Sequence, residues 1–162
     1  MHAQVTALLP AGPSTDPSAA VPIVVLARSA EASEAINGAL RRDGIPAHCT
    51  WLPSITDLPD TLAQLEPQLI VCVGTLAELE PVVVLRDTHA HGVPILLVGP
   101  SADEDAIDAA VRGGARDVVT LEHVARLQAV MERELRHARL ERALQQAMRS
   151  AHDYRAQLDT VL

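Results

Sequence analysis

Short runs of branched apolar residues limit the fold of this chain more strongly than any other feature. The clearest run is at residues 69–74, and similar runs lie at residues 21–27 and 93–98. Each is apolar at consecutive positions, which is typical of a strand buried on both faces. Because segments with helical spacing separate these runs, the pattern predicts a parallel sheet with helices on both faces.

Two further strands complete the predicted sheet. Residues 47–51 are more polar, as expected of an edge strand, and residues 117–120 form a short last strand. Right-handed crossovers leave the flavodoxin-like order 2-1-3-4-5 as the economical arrangement. We therefore predict an α/β fold with a doubly wound, five-stranded parallel sheet over residues 21–135. Ser101, with Glu104 three residues later, predicts the start of the helix after the fourth strand.

The two ends of the chain are predicted to lie outside this domain. Residues 1–20 combine proline, glycine, serine and threonine without periodicity, which indicates a disordered tail. Residues 121–162 contain neither proline nor glycine, which predicts an extended C-terminal helix. Such a helix would be about 63 Å long, whereas a ~100-residue domain has a radius of gyration of only ~13 Å. We therefore expect residues 136–162 to project as a coiled-coil signalling helix.

Apolar residues in the projecting segment repeat with the spacing of a coiled coil. The predicted seam consists of Leu140, Leu144, Ala147, Ala151, Tyr154, Leu158 and Val161. Arg136 and Glu141 fall at positions from which they would pair across two parallel helices. The pattern favours a homodimer through this helix. The alternatives are a single amphipathic helix that folds back or frays, and a dimer through the fourth helix and fifth strand.

Charge and composition exclude several partners and chemistries. The net charge is −8 and all 13 basic residues are arginine, so we expect no nucleic-acid partner. The absence of lysine excludes Schiff-base and P-loop chemistry. No apolar run approaches the ~20 residues of a membrane span, so we expect no membrane insertion. The first residues lack the pattern of a secretory signal, so we expect a cytoplasmic location.

No metal site or cofactor is predicted from the sequence. His89 and His91 have the spacing of a ligand pair in a loop, but no further ligand is evident beside them. Zinc sites in proteins take more than two protein ligands. Cys49 and Cys72 fall in predicted strands, and we expect both to be buried free thiols.

Residues 109–120 (Ala-Ala-Val-Arg-Gly-Gly-Ala-Arg-Asp-Val-Val-Thr) resemble the run that leads into the last strand of two-component receiver domains. Residues 94–98 and 67–71 are similar to their fourth and third strands. This resemblance, over residues 22–135, implies the CheY-like form of the predicted fold. Active receivers carry an acceptor aspartate after the third strand and two metal-binding acids after the first. A hydroxyl residue follows the fourth strand and a lysine the fifth, and together these groups neutralise the transferred phosphoryl group.

This chain lacks the matching residue at every one of those positions. They are occupied, in chain order, by Ala27, Arg28, Val73 (or Gly74 if the register shifts by one), Gly99 and Leu121. The resemblance therefore implies a degenerate receiver with no enzymatic activity. The simplest interpretation of Arg28 is that it points to solvent or pairs with a nearby acid such as Glu31. The alternative is that it replaces the charge of the metal or holds a small anion.

The end of the chain carries a second resemblance. Residues 152–162 look like the helix that leads into a PAS domain. An atypical receiver ahead of PAS, GGDEF and EAL domains is the layout of FimX-type cyclic-di-GMP proteins, which regulate type IV pili and twitching motility. This resemblance implies such domains downstream of residue 162 and a location at the cell pole.

Two hypotheses of function follow from the sequence. The first is a non-phosphorylatable pseudo-receiver that acts as a dimerisation and protein-interaction module in bacterial signal transduction. The second is a small-anion or metabolite-sensing domain that uses the emptied receiver pocket.

Overall fold

The computed structural model describes residues 20–161, so nearly all of the predicted N-terminal tail and Leu162 lie outside the described residues. Five parallel strands form one sheet in the order β2-β1-β3-β4-β5, which confirms the predicted topology. The strands are β1 (Val21–Leu26), β2 (Ala47–Leu52), β3 (Leu69–Val73), β4 (Ile95–Val98) and β5 (Asp117–Val119). The helices are α1 (Ala30–Arg42), α2 (Leu58–Leu65), α3 (Leu76–His89), α4 (Glu104–Arg112) and α5 (Val124–Val161). A short 3₁₀ helix, Ile55–Asp57, precedes α2.

Each face of the sheet carries its own apolar core. On one face α1 and α5 cover the strands, and Ile36, Leu127 and Met131 are fully buried there; we call this the α1/α5 cluster. On the other face α2, α3 and α4 cover the strands, with Leu62 and Leu79 buried at its centre. Burial on both faces explains why β1, β3 and β4 are apolar at consecutive positions.

The predicted start of α4 is wrong. The helix begins at Glu104, and the Asp103 side chain caps it by accepting a 2.8 Å hydrogen bond from the backbone N–H of Ala106. The Ser101 hydroxyl instead donates to the Asp103 carboxylate at 3.1 Å. A carboxylate adjacent to the first turn satisfies a free N–H and also complements the positive end of the helix dipole.

Helix α5 is continuous over 38 residues, about 57 Å at 1.5 Å per residue. Its last buried side chain is Leu135, yet contact with the domain continues further. Arg142 Nη2 donates to the carbonyl of Glu66 at 3.0 Å, just before β3. The helix begins after the carboxyl end of β5 and passes the amino end of β3, so it runs antiparallel to the strands. Among residues 20–161, no helix has the length and apolar character needed to cross a membrane.

A network of charged side chains ties the start of α5 to β5. Asp117 contacts Arg126 at 3.3 Å and Arg133 at 3.0 Å. Glu134, which is buried, contacts Arg133 at 3.0 Å and Arg116 at 3.3 Å. Burial opposes ionisation of Asp117. The backbone N–H of Val118 and the two arginines outweigh it and hold the pKa of Asp117 below its usual value.

This network predicts a pH-dependent stability. A lowered folded-state pKa gives stability that is fully present above the unfolded-state pKa of about 3.9 and is lost as pH falls through the folded-state value. We expect Asp117→Asn to reduce the free energy of unfolding by about 1–3 kcal/mol at pH 7. The difference from wild type should shrink towards pH 3, as measured by urea unfolding across the pH range.

Asp108→Asn is the matched control for this prediction. Asp108 pairs with Arg112 at 3.1 Å, but both side chains are largely exposed. Loss of this ion pair should change the free energy of unfolding by less than about 0.5 kcal/mol. An Asp117→Asn effect that is the same at pH 3 as at pH 7 would contradict the prediction.

Candidate functional site

A cavity of about 290 Å³ opens at the carboxyl edge of the sheet, beside the ends of β1, β2 and β3. Most of its lining is apolar. The apolar lining includes Leu26, Leu52, Ile55, Cys72 and Val82. The described residues around the cavity also contribute two charges, one from Arg28 and one from Glu78. The arrangement is a small apolar cavity with an ion pair on its wall.

Some of the predicted pocket residues lie on this cavity and others do not. Ala27, Arg28 and Val73 line it, whereas Gly74, Gly99 and Leu121 do not. The six positions were predicted to surround one point at the carboxyl edge of the sheet. Three of the six border the cavity, and that all six form one pocket stays a prediction.

Three of the predicted pocket residues contribute to apolar packing. Ala27 is buried in the α1/α5 cluster, and Val73 and Leu121 pack against that cluster. A residue that contributes to a core in this way offers neither an acceptor oxygen nor a cation. Val73 and Leu121, which the resemblance places at the acceptor and lysine positions, therefore extend this core.

The two glycines of the predicted pocket are close neighbours. The Gly74 N–H donates to the Val98 carbonyl at 3.0 Å, and a Cβ added to Gly99 would lie 3.6 Å from the Gly74 carbonyl. A Cβ on Gly74 would lie only 2.9 Å from the Glu78 carboxylate. Gly74 also has a φ of +157°, which L side chains rarely adopt. Any side chain at position 74 would therefore displace Glu78.

Arg28 pairs with Glu78 rather than with Glu31. Its Nη2 lies 3.2 Å from Glu78 Oε1, and the arginine side chain is 86% exposed. The hydroxyl of Thr75 donates to the Glu78 carboxylate, and the Thr75 backbone N–H donates to it at 2.6 Å. The hydrogen bond from the Thr75 side chain is the main reason that the pKa of Glu78 lies below its usual value. Glu78 is therefore ionised at neutral pH.

Sequence reasoning missed Glu78 as part of this site and Trp51 as a contact of Ala27, which lines it. The spacing of Thr75 and Glu78 matches that of a capping box and is the signal that identifies Glu78. Trp51 Nε1 donates to the Ala27 carbonyl at 2.7 Å and so joins the end of β1 to β2. Nothing in the sequence around Trp51 indicates that contact.

Both cysteines are free thiols. Cys72 is buried beside the cavity, and burial raises the pKa of its thiol to about 12. Cys49 is half-buried rather than buried, and desolvation raises its pKa to about 11. Neither thiol is charged at neutral pH. Within residues 20–161, no group of three or more His, Cys, Asp and Glu side chains is arranged to hold a metal ion.

The predicted coiled-coil seam forms an apolar stripe on the distal part of α5. Leu140, Leu144, Tyr154 and Leu158 are 65%, 62%, 63% and 48% exposed. Ala147 and Ala151 are exposed between them, and the side chain of Val161 lies outside the described residues.

The charged residues that flank the seam have partners within the single helix. Arg136 contacts Glu132 at 2.7 Å, and Glu141 contacts His137 at 3.0 Å. A pair between helices would have to replace these contacts. Met148, which the heptad pattern did not include, is 64% exposed on the same helix.

Comparison with solved structures identifies the class of fold. No protein-family model matches the chain, and no curated protein matches it. Structures of response-regulator receiver domains do match, and the chain has the CheY-like receiver fold. A response regulator from Hahella chejuensis has a TM-score of 0.61 at 16% identity, covering 72% of this chain and 96% of that chain.

Two other solved structures share this fold. An atypical orphan response regulator, described as revealing a phosphorylation-independent regulatory mechanism, has a TM-score of 0.58 at 17% identity, covering 72% of this chain and 96% of that chain. A protein from Burkholderia pseudomallei described as pilus assembly-related has a TM-score of 0.56 at 21% identity, covering 71% of this chain and 89% of that chain. Identities this low show the fold alone.

Proposed function

We propose that this chain is a non-phosphorylatable pseudo-receiver, a dimerisation and protein-interaction module of bacterial signal transduction without enzymatic activity. The observation that carries the proposal is the apolar packing at the expected reaction centre. Val73 occupies the acceptor position and packs against the α1/α5 cluster together with Leu121. Ala27, where a metal-binding acid is expected, is buried in the same cluster.

The chemistry of phosphoryl transfer supports this proposal. Transfer depends on groups that neutralise charge on the phosphoryl oxygens, chiefly a divalent metal and a cation. Arg28 carries positive charge beside the place of the metal, and a guanidinium there repels a divalent cation. The chain contains no lysine that could take the second role.

The proposed output is assembly through the exposed stripe on α5. Two copies that paired their stripes in parallel would bury the leucines and Tyr154 that are exposed in the single chain. Burial of apolar surface is the main driving force of such pairing. The two receiver-like domains would then lie at the same end of the coiled coil, next to the protein partners that they bind.

The proposed setting is a FimX-type cyclic-di-GMP protein linked to type IV pili. In this setting the α5 helix leads into PAS, GGDEF and EAL domains of the same chain, in the cytoplasm at the cell pole. The resemblance of residues 152–162 to a helix that leads into a PAS domain supports it. The fold shared with a protein described as pilus assembly-related agrees with it.

A phosphorylation assay tests the central claim. We expect no acyl phosphate after incubation with acetyl phosphate and Mg²⁺, and no change of Trp51 fluorescence with beryllofluoride and Mg²⁺. Trp51 is the only tryptophan and contacts Ala27, so its emission reports on this edge of the sheet. A receiver with an intact acceptor aspartate serves as the positive control. Stoichiometric phosphorylation of the wild-type chain would overturn the proposal.

The cavity favours a second candidate function, a domain that senses a small metabolite. A cavity of about 290 Å³ remains open at the ends of β1, β2 and β3, and Ala27, Arg28 and Val73 line part of it. It lies at the carboxyl ends of parallel strands, the usual place for ligands in open α/β sheets.

A further inference from the structure

The cavity at the carboxyl edge combines an apolar interior with two opposite charges at one side. Leu26, Leu52 and Val82 contribute to the interior. Arg28 and Glu78 provide the charges, and their closest atoms are 3.2 Å apart. The volume of about 290 Å³ is near the lower end of the range for ligand pockets. The site therefore suits a ligand of about the size of a single amino acid.

The ion pair is available for exchange with a ligand. The Arg28 side chain is 86% exposed, and an exposed pair of this kind stabilises a protein little. Glu78 differs from Arg28 because Thr75 holds its carboxylate with both its N–H and its hydroxyl. Arg28 can therefore turn towards a ligand while Glu78 stays in place as a fixed negative charge.

The two charges select the chemistry of the ligand. A simple anion would gain contact with Arg28 but would be repelled by the Glu78 carboxylate. A simple cation would gain contact with Glu78 but would be repelled by the Arg28 guanidinium. An uncharged apolar molecule would contact neither charge favourably. A zwitterion with an apolar side chain uses all three features, because its carboxylate suits a guanidinium and its ammonium suits a carboxylate.

We propose that this cavity binds an apolar α-amino acid, such as leucine, with its carboxylate on Arg28 and its ammonium group on Glu78. The side chain of the amino acid enters the apolar interior next to Leu26, Leu52 and Val82. This inference rests on the second candidate function, whose ligand class it names, and does not depend on the pseudo-receiver proposal. It assigns a ligand class to the cavity that Ala27, Arg28 and Val73 line.

Calorimetric titration of the full chain with L-leucine tests the proposal, with Trp51 fluorescence as a second readout. Trp51 contacts Ala27, which lines the cavity. We expect saturable leucine binding. Three analogues each remove one feature: 4-methylpentanoate lacks the ammonium group, isoamylamine lacks the carboxylate, and glycine lacks the side chain. Each should bind at least about tenfold more weakly, because each leaves one recognition feature unmatched.

Variants locate the binding at the ion pair. Arg28→Gln and Glu78→Gln should each weaken leucine binding by about tenfold or more. Arg112→Gln is the matched control, because Arg112 is also an exposed arginine in an ion pair, with Asp108. It should bind leucine as wild type does. Circular dichroism verifies that each variant is folded.

Several results would overturn the proposal. They are the absence of leucine binding in both readouts, equal affinity for leucine and any of the three analogues, and wild-type affinity in Arg28→Gln. None of these results bears on phosphorylation, so failure here leaves the pseudo-receiver proposal standing. Conversely, acyl-phosphate formation would overturn that proposal without affecting this one.

Discussion

We expect Leu144→Glu to convert the proposed dimer into monomers while the α/β domain stays folded. Leu144 belongs to the apolar stripe and is 62% exposed in the single chain, so its side chain would be buried only by a partner helix. A dimer loses two such leucines and places two carboxylates against each other. Burial of one leucine contributes about 1.5–3 kcal/mol, so dissociation should become at least about 100-fold more favourable.

The measurement is molar mass by light scattering over a range of concentrations. Gln145→Glu is the matched control, because it adds the same charge one residue further along the helix, to an exposed position outside the seam. It should remain dimeric. Circular dichroism should show an unchanged domain in both variants. A wild-type chain that is monomeric at high concentration, or a control that also dissociates, would rule out the coiled-coil interface.

Val73→Asp should destabilise the fold without restoring phosphorylation. Val73 is half-buried against the α1/α5 cluster, so the new carboxyl group would lose water contacts and face apolar surroundings. Lost packing and desolvation together should lower the free energy of unfolding by about 2–4 kcal/mol. The acceptor oxygen alone is insufficient, because the metal-binding acids and the lysine are still missing.

Urea unfolding and an acetyl phosphate assay on the same sample measure the two effects. Val73→Ala is the control for lost packing, and we expect it to cost only about 0.5–2 kcal/mol because the site is half-buried. The loss of unfolding free energy in Val73→Asp beyond that in Val73→Ala is then the effect of the carboxyl group. Phosphorylation of that variant, or stability equal to wild type, would show that the reaction centre is less altered than its packing indicates.

The sheet could be predicted in full because its evidence is local. The strands β1, β3 and β4 are apolar runs, and right-handed crossovers allow few orders for five parallel strands. The bounds of the strands and helices were predicted less accurately. The fourth strand begins at Ile95 rather than Val93, because Val93 donates to the Ala90 carbonyl in the turn before it. The start of α4 was misplaced because Ser101 and Asp103 are both good capping residues in sequence.

The candidate site could be predicted only in part, because its contacts join distant segments. The sequence shows which residues stand at the receiver positions, and these follow from the strand ends. It does not show that Arg28 meets Glu78, since that contact depends on how the first turn of α3 lies against the end of β1. The cavity could not be predicted for the same reason. Its walls come from three strand ends and α3, and no single segment of the sequence carries its shape.

The direction of α5 has a mechanical consequence. The helix leaves the domain at the edge opposite to the cavity, and no glycine or proline interrupts it between Val124 and Val161. A helix without such a residue has no ready point of bending. A rotation of the base of α5 is therefore transmitted to its end as a rotation about the helix axis, and not as a bending of the helix. At 3.6 residues per turn, successive residues are about 100° apart around the helix axis, so the number of residues in α5 sets the direction in which its last turn faces relative to its first.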